Sequence, residues 1–226
     1  QTQALIETFQ PDAIIHAAAL SNPNYCELHP EAAHKVNVEA TQKLVKIAAQ
    51  LDIPFVFTSS DLVFDGTQPP YNEQSPLNPP SLYGRQKQEA EAMIQAIHPA
   101  AIIARLPLMY GFPKYGQNFL SNWVAKLKGG EVVHAFTDEY RTAASGRCVS
   151  NGIWLLLERQ VKGIWHLGSK ERLSRYDFAV NVATHLGLDT SLIIPSKQAD
   201  VKMAAKRPAD VSLDSQRAFD IGYEPL

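Results

Sequence analysis

Three short apolar segments, separated by helical patterns, constrain the fold of this chain more than any other feature. They read DAIIHAAA at 12–19, PFVFTS at 54–59 and AAIIARL at 100–106, and they predict buried strands. Residues 30–51 have the pattern of an amphipathic helix with proline at its first position, and a second helix begins near Ser81. Strand, helix, strand, helix, strand in this order indicates an α/β fold with a parallel sheet covered by helices.

The segments between and after these elements are less regular. We predict loops at 20–28 (LSNPNYCEL) and at 65–80, the second being rich in Pro, Gly and Asn. The later patterns predict, in order, helices at 117–128 and 149–158, a strand at 163–169, a helix from Ser174 to Gly187, and a tail with one short helix. Ligands of parallel sheets bind beyond the carboxyl ends of the strands, which here read HAAALSN, TSSDLVF and RLPLMYG.

The composition excludes several classes of function. Of 226 residues, 45% are apolar and 19% are charged, which indicates a globular protein. The net charge is −2 and the acidic and basic residues are scattered along the chain, so we expect no binding of nucleic acid. No apolar run is of membrane-spanning length and the first residues do not resemble an export signal, so we expect no membrane partner and a cytoplasmic location. Cys26 and Cys148 are far apart, which fits a reducing compartment. The seven histidines show no ligand spacing, so no metal site is expected, and His16 and His166 are predicted to be core residues.

A tyrosine and a lysine four residues apart, Tyr83 and Lys87, fall on one face of the helix predicted after residue 81. Chance produces such a pair in a chain of this composition, and a second pair, Tyr110 and Lys114, encloses a proline and should not be helical. The first pair follows a strand that ends in Thr-Ser-Ser-Asp, which includes Ser60. The pair is therefore either a proton-transfer element or an accident of composition.

A serine hydroxyl, a phenol and an ammonium are suited to the interconversion of a carbonyl and an alcohol. An unperturbed phenol has a pKa of about 10, and we expect the Lys87 ammonium, one helical turn away, to lower the pKa of Tyr83. Ser60 would hold the substrate oxygen while Tyr83 gives or takes its proton. The hydride must come from a nicotinamide, because no side chain donates one.

Several segments in this order resemble the extended short-chain dehydrogenase/reductases and, within them, the dTDP-4-dehydrorhamnose reductase-like group. The likeness covers nearly the whole chain, and FTSSDLVFDG with SPLNPPSLYGRQKQEAE is its most specific part. The other matching segments are PDAIIHAAALSNPNYCE, VNVEATQKL, RLPLMYG, QNF, DEYRT, GIWHLGS with SRYDFA, and RPADVSLDS. The resemblance implies a Rossmann-like, doubly wound parallel sheet in a dinucleotide-binding domain at 1–113. A smaller substrate-binding lobe would follow at 114–226, with about 148–168 returning to the first domain.

The resemblance also implies roles for individual residues. The catalytic set would be Ser60, Tyr83 and Lys87, with Lys87 also holding the nicotinamide ribose. The cofactor, NADP or NAD, would lie along Ala18, Ala19, Leu20, Asn37, Ser59, Tyr83 and Lys87. A nucleotide-sugar substrate would contact Ser60, Asp61, Asn118 and Arg207. Three alternatives stay open: HAAA is only a tight packing site, Asn37 makes only a buried polar contact, and Arg207 is a surface charge rather than a clamp on a nucleotide diphosphate.

One element of the family's pattern is absent from the sequence. The family begins with a strand and a Gly-rich turn that carries the cofactor pyrophosphate on a helix N-terminus, whereas no glycine precedes Gly66. The resemblance implies that roughly two βα units are missing, together with the residue that selects NAD or NADP. We therefore expect the sequence to be an incomplete record of a longer chain. Homodimer formation is left open.

Two positions depart from the group's pattern. Leu62 stands where a tyrosine follows the Ser/Thr-Asp pair, and Leu108 stands where a tryptophan often follows the third strand. Both positions normally frame the sugar, so the exact substrate is left open. The favoured prediction is an NAD(P)H-dependent reductase of a nucleotide-linked 4-keto sugar. The alternatives are a non-catalytic regulatory or scaffold subunit, similar to the beta subunit of methionine adenosyltransferase, and an NAD-dependent sugar-nucleotide epimerase.

Overall fold

Helices and short strands alternate along the chain, and a computed structural model describes them over residues 2–114 and 116–225. The helices are α1 (Thr2–Phe9), α2 (Pro23–Leu28), α3 (Pro30–His34), α4 (Ala40–Leu51), α5 (Leu82–Ile97), α6 (Phe119–Lys128), α7 (Gly146–Glu158), α8 (Arg175–His185) and α9 (Gln216–Phe219). The strands are β1 (Ile14–His16), β2 (Phe55–Ser60), β3 (Ile102–Leu106), β4 (Met109–Tyr110), β5 (Val133–Phe136), β6 (Tyr140–Arg141), β7 (Ala144–Ser145), β8 (Gly163–His166), β9 (Leu173–Ser174) and β10 (Ile193–Ser196).

Four strands form the central sheet, in the order β1-β2-β3-β8, and all neighbours run parallel. The apolar segments at 12–19, 54–59, 100–106 and 163–169 all contribute strands to this sheet. The predicted α/β fold with a parallel sheet is therefore confirmed.

Helices cover both faces of this sheet, and alternate residues of β2 pack against different helical layers. Phe55 and Phe57 pack with residues of α4 and α5, whereas Val56 packs with Val149 and Leu156 of α7. This arrangement explains why β2 and β3 read as continuous apolar runs rather than as alternating patterns.

The prediction of a loop over residues 20–28 is wrong, because Pro23–Leu28 is helix α2. Proline occupies its first position, and the Asn22 side chain accepts a hydrogen bond from Tyr25 N at 3.1 Å. Six residues are too few to show a helical period in the sequence. Contact with α5 and complete burial of Cys26 stabilise the helix in the fold.

The long helix predicted at 30–51 forms, but a π turn at Lys35–Glu39 separates α3 from α4. A π turn widens the helix by one residue and changes the direction of nearby side chains. This turn contains buried Asn37, whose side chain reaches Leu20 after β1 and Gln86 on α5. The wide turn thus ties α4 to the loop beside the strand ends.

Three small strand pairs formed by segments that follow β3 were not predicted. β5 pairs in parallel with β10, β4 in parallel with β7, and β6 antiparallel with β9. Strands of two to four residues are too short to leave a periodic signal in the sequence. The predicted helix after Ser174 is present as α8, and it packs against β5 and β10.

Gly84 is expected to be essential for the packing of α5. A Cβ added there would lie 2.6 Å from Pro79 Cβ and would also collide with the Leu62 carbonyl oxygen. Alanine inside a helix is usually more stable than glycine by about 1 kcal/mol, so this contact reverses the usual sign. We expect Gly84→Ala to lower the free energy of unfolding by about 2 kcal/mol, as measured by urea denaturation.

The matched control is Gly146→Ala at the start of α7. There the nearest non-local atom, Tyr110 O, is 3.8 Å from the added Cβ, so stability should stay the same or rise. Equal effects of the two substitutions would contradict the close approach of α5 to Pro79.

Candidate active site at the strand ends

A cavity of about 570 Å³ opens beyond the carboxyl ends of β1, β2 and β3, where ligands of parallel sheets bind. One wall is formed by the strand ends and α5. The opposite wall is formed by segments of the second half of the chain, including β5, β6 and the start of α8. The volume is typical of a site for a small molecule.

Ser60, Tyr83 and Lys87 all line this cavity. Ser60 ends β2, and its hydroxyl accepts a hydrogen bond from Leu62 N at 3.2 Å while donating to Asp61 Oδ1 at 3.0 Å. Tyr83 and Lys87 lie one turn apart on α5 and are 6% and 2% exposed. The fold therefore brings together three groups that lie on two separate elements.

The Lys87 ammonium is bound to the end of β2. Its Nζ donates to Thr58 O at 2.8 Å and lies 4.4 Å from the centre of the Phe57 ring and 5.9 Å from that of Tyr83. Burial lowers the pKa of Lys87 to about 8, while Glu91, one turn further along α5, opposes the fall. Because this pKa is only a little above neutral pH, the amine is mostly but not completely protonated there.

The expectation that Lys87 lowers the pKa of Tyr83 is wrong. Burial raises the pKa of Tyr83 well above its usual value, the Asp61 carboxylate adds to the rise, and a hydrogen bond with Ser60 opposes it. Desolvation dominates because the phenol is almost completely buried, whereas the ammonium is already bound to Thr58 O. Tyr83 is a neutral phenol at physiological pH and hence a proton donor.

Asp61 follows Ser60 at the cavity wall and is almost completely buried. Burial raises the pKa of Asp61 to about 6, although Arg141 and the Ser60 hydroxyl favour the charged form. Arg141 Nε is 3.7 Å from Asp61 Oδ2, which is too far for a hydrogen bond. The carboxyl group therefore titrates close to neutrality.

Three buried polar atoms of residues that line this cavity lack a hydrogen-bond partner among the described residues. They are Ser59 Oγ, Asp61 Oδ2 and Arg207 Nε, and a fourth such atom, Ser196 Oγ, lies outside the cavity wall. Unpaired buried polar atoms are rare because each costs roughly 1–3 kcal/mol. Their concentration at one cavity indicates a site for a polar ligand.

The wall opposite the strand ends carries charged residues that the sequence analysis missed. Arg141 pairs with Glu139 at 3.2 Å, and the Arg175 guanidinium lies 4.3 Å from the centre of the Phe119 ring. Together with Arg207, this wall has three guanidinium groups against one carboxylate among the described residues. The segments DEYRT and SRYDFA contain three of these four charges, so the signal was present in landmarks of the resemblance.

Four residues predicted to contact ligands do not line the cavity. Asn37 instead holds Leu20, accepting from Leu20 N at 2.9 Å and donating to Leu20 O at 3.1 Å. Asn118 caps α6 with its side chain. Ala18 and Leu20 flank Ala19, which does line the wall. Asn37 and Asn118 thus shape the segments around the cavity, and ligand contacts by these four residues stay predictions.

The prediction that His16 and His166 are core residues is confirmed. His16 Nε2 is 2.9 Å from Thr41 Oγ1, and burial lowers the pKa of His16 to about 4.

Within residues 2–114 and 116–225, no three His, Cys, Asp or Glu side chains converge as a metal ion would require. In those same segments no helix combines the length and apolar character needed to cross a bilayer.

A parallel α/β fold with Ser60, Tyr83 and Lys87 at its strand ends is that of an extended short-chain dehydrogenase/reductase. More narrowly, the chain belongs to the RmlD substrate binding domain family, whose pattern matches residues 1–225.

Its relatives include both a protein named as an adenosyltransferase subunit and one named as a probable reductase. Methionine adenosyltransferase 2 subunit beta of Bos taurus is 31% identical over an alignment of 226 residues, and the alignment covers 96% of this chain and 67% of that protein. "Probable low-salt glycan biosynthesis reductase Agl14" of Haloferax volcanii is 33% identical over 214 residues, covering 93% of this chain and 71% of that protein. The crystal structure of dTDP-4-dehydrorhamnose reductase from Bacillus anthracis in complex with NADP has the same fold, with a TM-score of 0.92 at 22% identity, covering 98% of this chain and 78% of that one.

Asp61 is expected to make stability depend on pH. Its pKa is raised from 3.8 to about 6 on folding, so between these values the folded state binds more protons and the free energy of unfolding falls as pH rises. Asparagine does not titrate, so Asp61→Asn removes this loss of stability. We expect the substitution to raise the free energy of unfolding by roughly 2 kcal/mol near pH 7.5 and to change it little near pH 4.

Urea denaturation at both pH values checks this prediction, and groups that titrate equally in both proteins cancel in the comparison. Asp65→Asn is the control of opposite sign, because hydrogen bonds from Thr67 lower the pKa of Asp65 to about 2. That substitution should destabilise the protein near pH 7.5. A gain from Asp61→Asn of the same size at both pH values would show that buried charge is not the cause.

Proposed function

We propose that this protein is an NAD(P)H-dependent reductase of a nucleotide-linked 4-keto sugar. The observation that carries the proposal is the convergence of Ser60, Tyr83 and Lys87 in one cavity whose wall also holds unpartnered polar atoms. The similarity to a glycan biosynthesis reductase supports the same class of reaction.

The nicotinamide cofactor is the first component of this proposal. NADPH or NADH, when bound, supplies the hydride that no side chain can donate. The residues present fit such a group, because Lys87 offers an ammonium, Ser59 offers a hydroxyl without a partner, and Ala19 lets a ligand approach the end of β1. We assign cofactor contacts to these three residues and to the neighbouring Ala18, Leu20, Asn37 and Tyr83.

Tyr83 is the proton donor of the proposed reaction. Its neutral phenol protonates the carbonyl oxygen as the carbon is reduced, so that C=O becomes CH–OH and the phenol becomes a phenolate. The Ser60 hydroxyl holds the same oxygen, and the Lys87 ammonium stabilises the phenolate until solvent returns its proton. Tyr83 can donate in this direction despite its raised pKa, because an alkoxide is a stronger base than a phenolate.

Charged residues on both sides of the cavity would recognise a sugar nucleotide. Asp61 Oδ2 has no hydrogen-bond partner among the described residues and would accept a hydrogen bond from a sugar hydroxyl. Arg207, with its unpartnered Nε, and Arg175 offer a positive surface for a diphosphate. We assign 1–113 to the cofactor domain and 114–226 to the substrate lobe, with 148–168 returning to the cofactor domain.

A regulatory subunit is the second candidate. The bovine relative named as the beta subunit of methionine adenosyltransferase matches 96% of this chain. Leu62 and Leu108 put aliphatic side chains on the cavity wall, at positions where the resemblance implies aromatic residues beside the sugar. Copurification with an adenosyltransferase, without NAD(P)H oxidation across a panel of sugar nucleotides, would favour this candidate.

Tyr83→Phe should abolish turnover and spare binding. The substitution removes the donated proton while keeping the ring, so we expect kcat for NAD(P)H oxidation to fall at least about 100-fold. Affinity for the sugar nucleotide, measured by calorimetry, should change little. Tyr25→Phe, at an exposed tyrosine of α2, is the control and should keep full activity. A Tyr83→Phe protein with near-normal kcat would refute the assignment.

Arg207→Met should weaken binding rather than chemistry. Loss of a charge-assisted hydrogen bond to a phosphate costs about 1.5–3 kcal/mol, so we expect KM for the sugar nucleotide to rise roughly tenfold to 100-fold with kcat nearly unchanged. Lys206→Met removes a neighbouring exposed cation and serves as the control. Equal effects of the two substitutions would indicate general attraction by surface charge and not a diphosphate contact.

A further inference from the structure

A buried ion pair lies one helical turn after Lys87. Glu91 on α5 and Arg105 on β3 are each 2% exposed, and neither residue lines the cavity. A buried ion pair contributes little to stability compared with apolar side chains of similar volume. Stability alone therefore gives a poor account of these two charges in the core.

The pair has the geometry of a two-point clamp. Arg105 Nη2 donates to Glu91 Oε2 at 2.7 Å, and Arg105 Nε lies 3.1 Å and 3.2 Å from the two carboxylate oxygens. Tyr83, Lys87 and Glu91 follow at intervals of four residues and share one face of α5. The planar guanidinium group of Arg105 on β3 therefore binds the same face of α5 that carries Tyr83 and Lys87.

Arg105 is itself anchored on its other side. Its Nη1 lies 3.3 Å from His166 Nε2 on β8, and His166 Nδ1 lies 3.1 Å from both Tyr71 O and Asp214 O. Two carbonyl acceptors at Nδ1 place the ring proton there, so Nε2 accepts from Arg105. The clamp is thus continuous from α5 through β3 and β8 to the segments that contain Tyr71 and Asp214.

Glu91 also supplies the negative charge that acts on the Lys87 ammonium. The titratable side chains that face this ammonium are His16 on β1, Cys26 on α2, and Tyr83 and Glu91 on α5, while β2 presents an uncharged carbonyl and a ring. His16 and Cys26 are neutral at pH 7, because burial lowers the pKa of His16 and raises that of Cys26. Tyr83 is neutral as well, so among the described side chains that act on this ammonium Glu91 is the one that carries a negative charge.

We propose that Glu91, held by Arg105, is a positioning residue: it aligns Tyr83 and Lys87 at the cavity and provides the counter-charge that keeps Lys87 in its ammonium form. The catalytic purpose of this arrangement rests on the proposed function. The electrostatic link between Glu91 and Lys87 does not, so the two are separable by experiment.

The test measures the titration of Lys87 directly. NMR of protein labelled with ¹³C at lysine Cε follows each ammonium through its midpoint, and the Lys87 resonance is assigned by its loss in Lys87→Met. We expect Glu91→Gln to lower the Lys87 midpoint by about one pH unit, a tenfold change in the acid dissociation constant. A residue with a purely structural role would leave this midpoint unchanged.

The matched control is Glu89→Gln on the same helix. Glu89 is exposed and contacts His34 rather than the core, so loss of its charge should leave the Lys87 midpoint in place. A shift of equal size in Glu89→Gln and Glu91→Gln would overturn the proposal, because it would indicate only a general effect of net charge.

A second variant guards against misfolding of Glu91→Gln, in which Arg105 loses its partner. Glu91→Gln combined with Arg105→Gln replaces the ion pair by two neutral amides that can bond to each other, and it should also lower the Lys87 midpoint. A folded double variant with the wild-type midpoint would overturn the proposal. NAD(P)H oxidation is assayed separately: an inactive wild-type protein whose Lys87 still responds to Glu91→Gln refutes the proposed function and not the electrostatic link.

Discussion

The burial of Lys87 against the end of β2 determines the layout of the site. An ammonium in the interior must be compensated by polar partners, and Nζ finds the Thr58 carbonyl at 2.8 Å and the faces of two aromatic rings. These contacts fix α5 relative to the strand ends. Because Tyr83 lies one turn before Lys87, the same contacts place the phenol beside Ser60, where β2 ends. The strand thus carries the Ser60 hydroxyl itself and positions the proposed proton donor, Tyr83, through the buried lysine.

Desolvation rather than neighbouring charge sets the protonation of this site. Burial raises the pKa values of Tyr83 and Asp61 and lowers that of Lys87, so all three shift toward their neutral forms. The cavity also leaves Ser59 Oγ and Asp61 Oδ2 without hydrogen-bond partners among the described residues. Both features reduce the stability of the folded protein. Natural proteins retain such costs where the affected groups serve binding or chemistry.

The extent to which the sequence predicts this protein follows from the range over which each signal acts. The strands and the long helices are encoded in local periodicity, and the shared face of Tyr83 and Lys87 follows from helix geometry alone. The pKa of Tyr83 was mispredicted because spacing gives the distance to a cation but not the depth of burial. Arg141 and Arg175 were missed because β6 and β9, the short strands that bring them to the cavity, have no periodic signal. Their placement depends on pairings between distant segments.

The unpaired atoms bear on the choice between an enzyme and a regulatory subunit. A subunit that used this fold only to bind another protein would gain stability from apolar or self-satisfied side chains at the cavity wall, by roughly 1–3 kcal/mol for each unpaired polar atom replaced. The wall instead combines such atoms on both sides, Asp61 Oδ2 beside the strand ends and Arg207 Nε opposite. A neutral phenol lines the same cavity as the Ser60 hydroxyl, a buried ammonium and this carboxyl group. A polar ligand that spans the cavity and accepts a proton accounts for all of these features, whereas binding of a partner protein alone accounts for none of them.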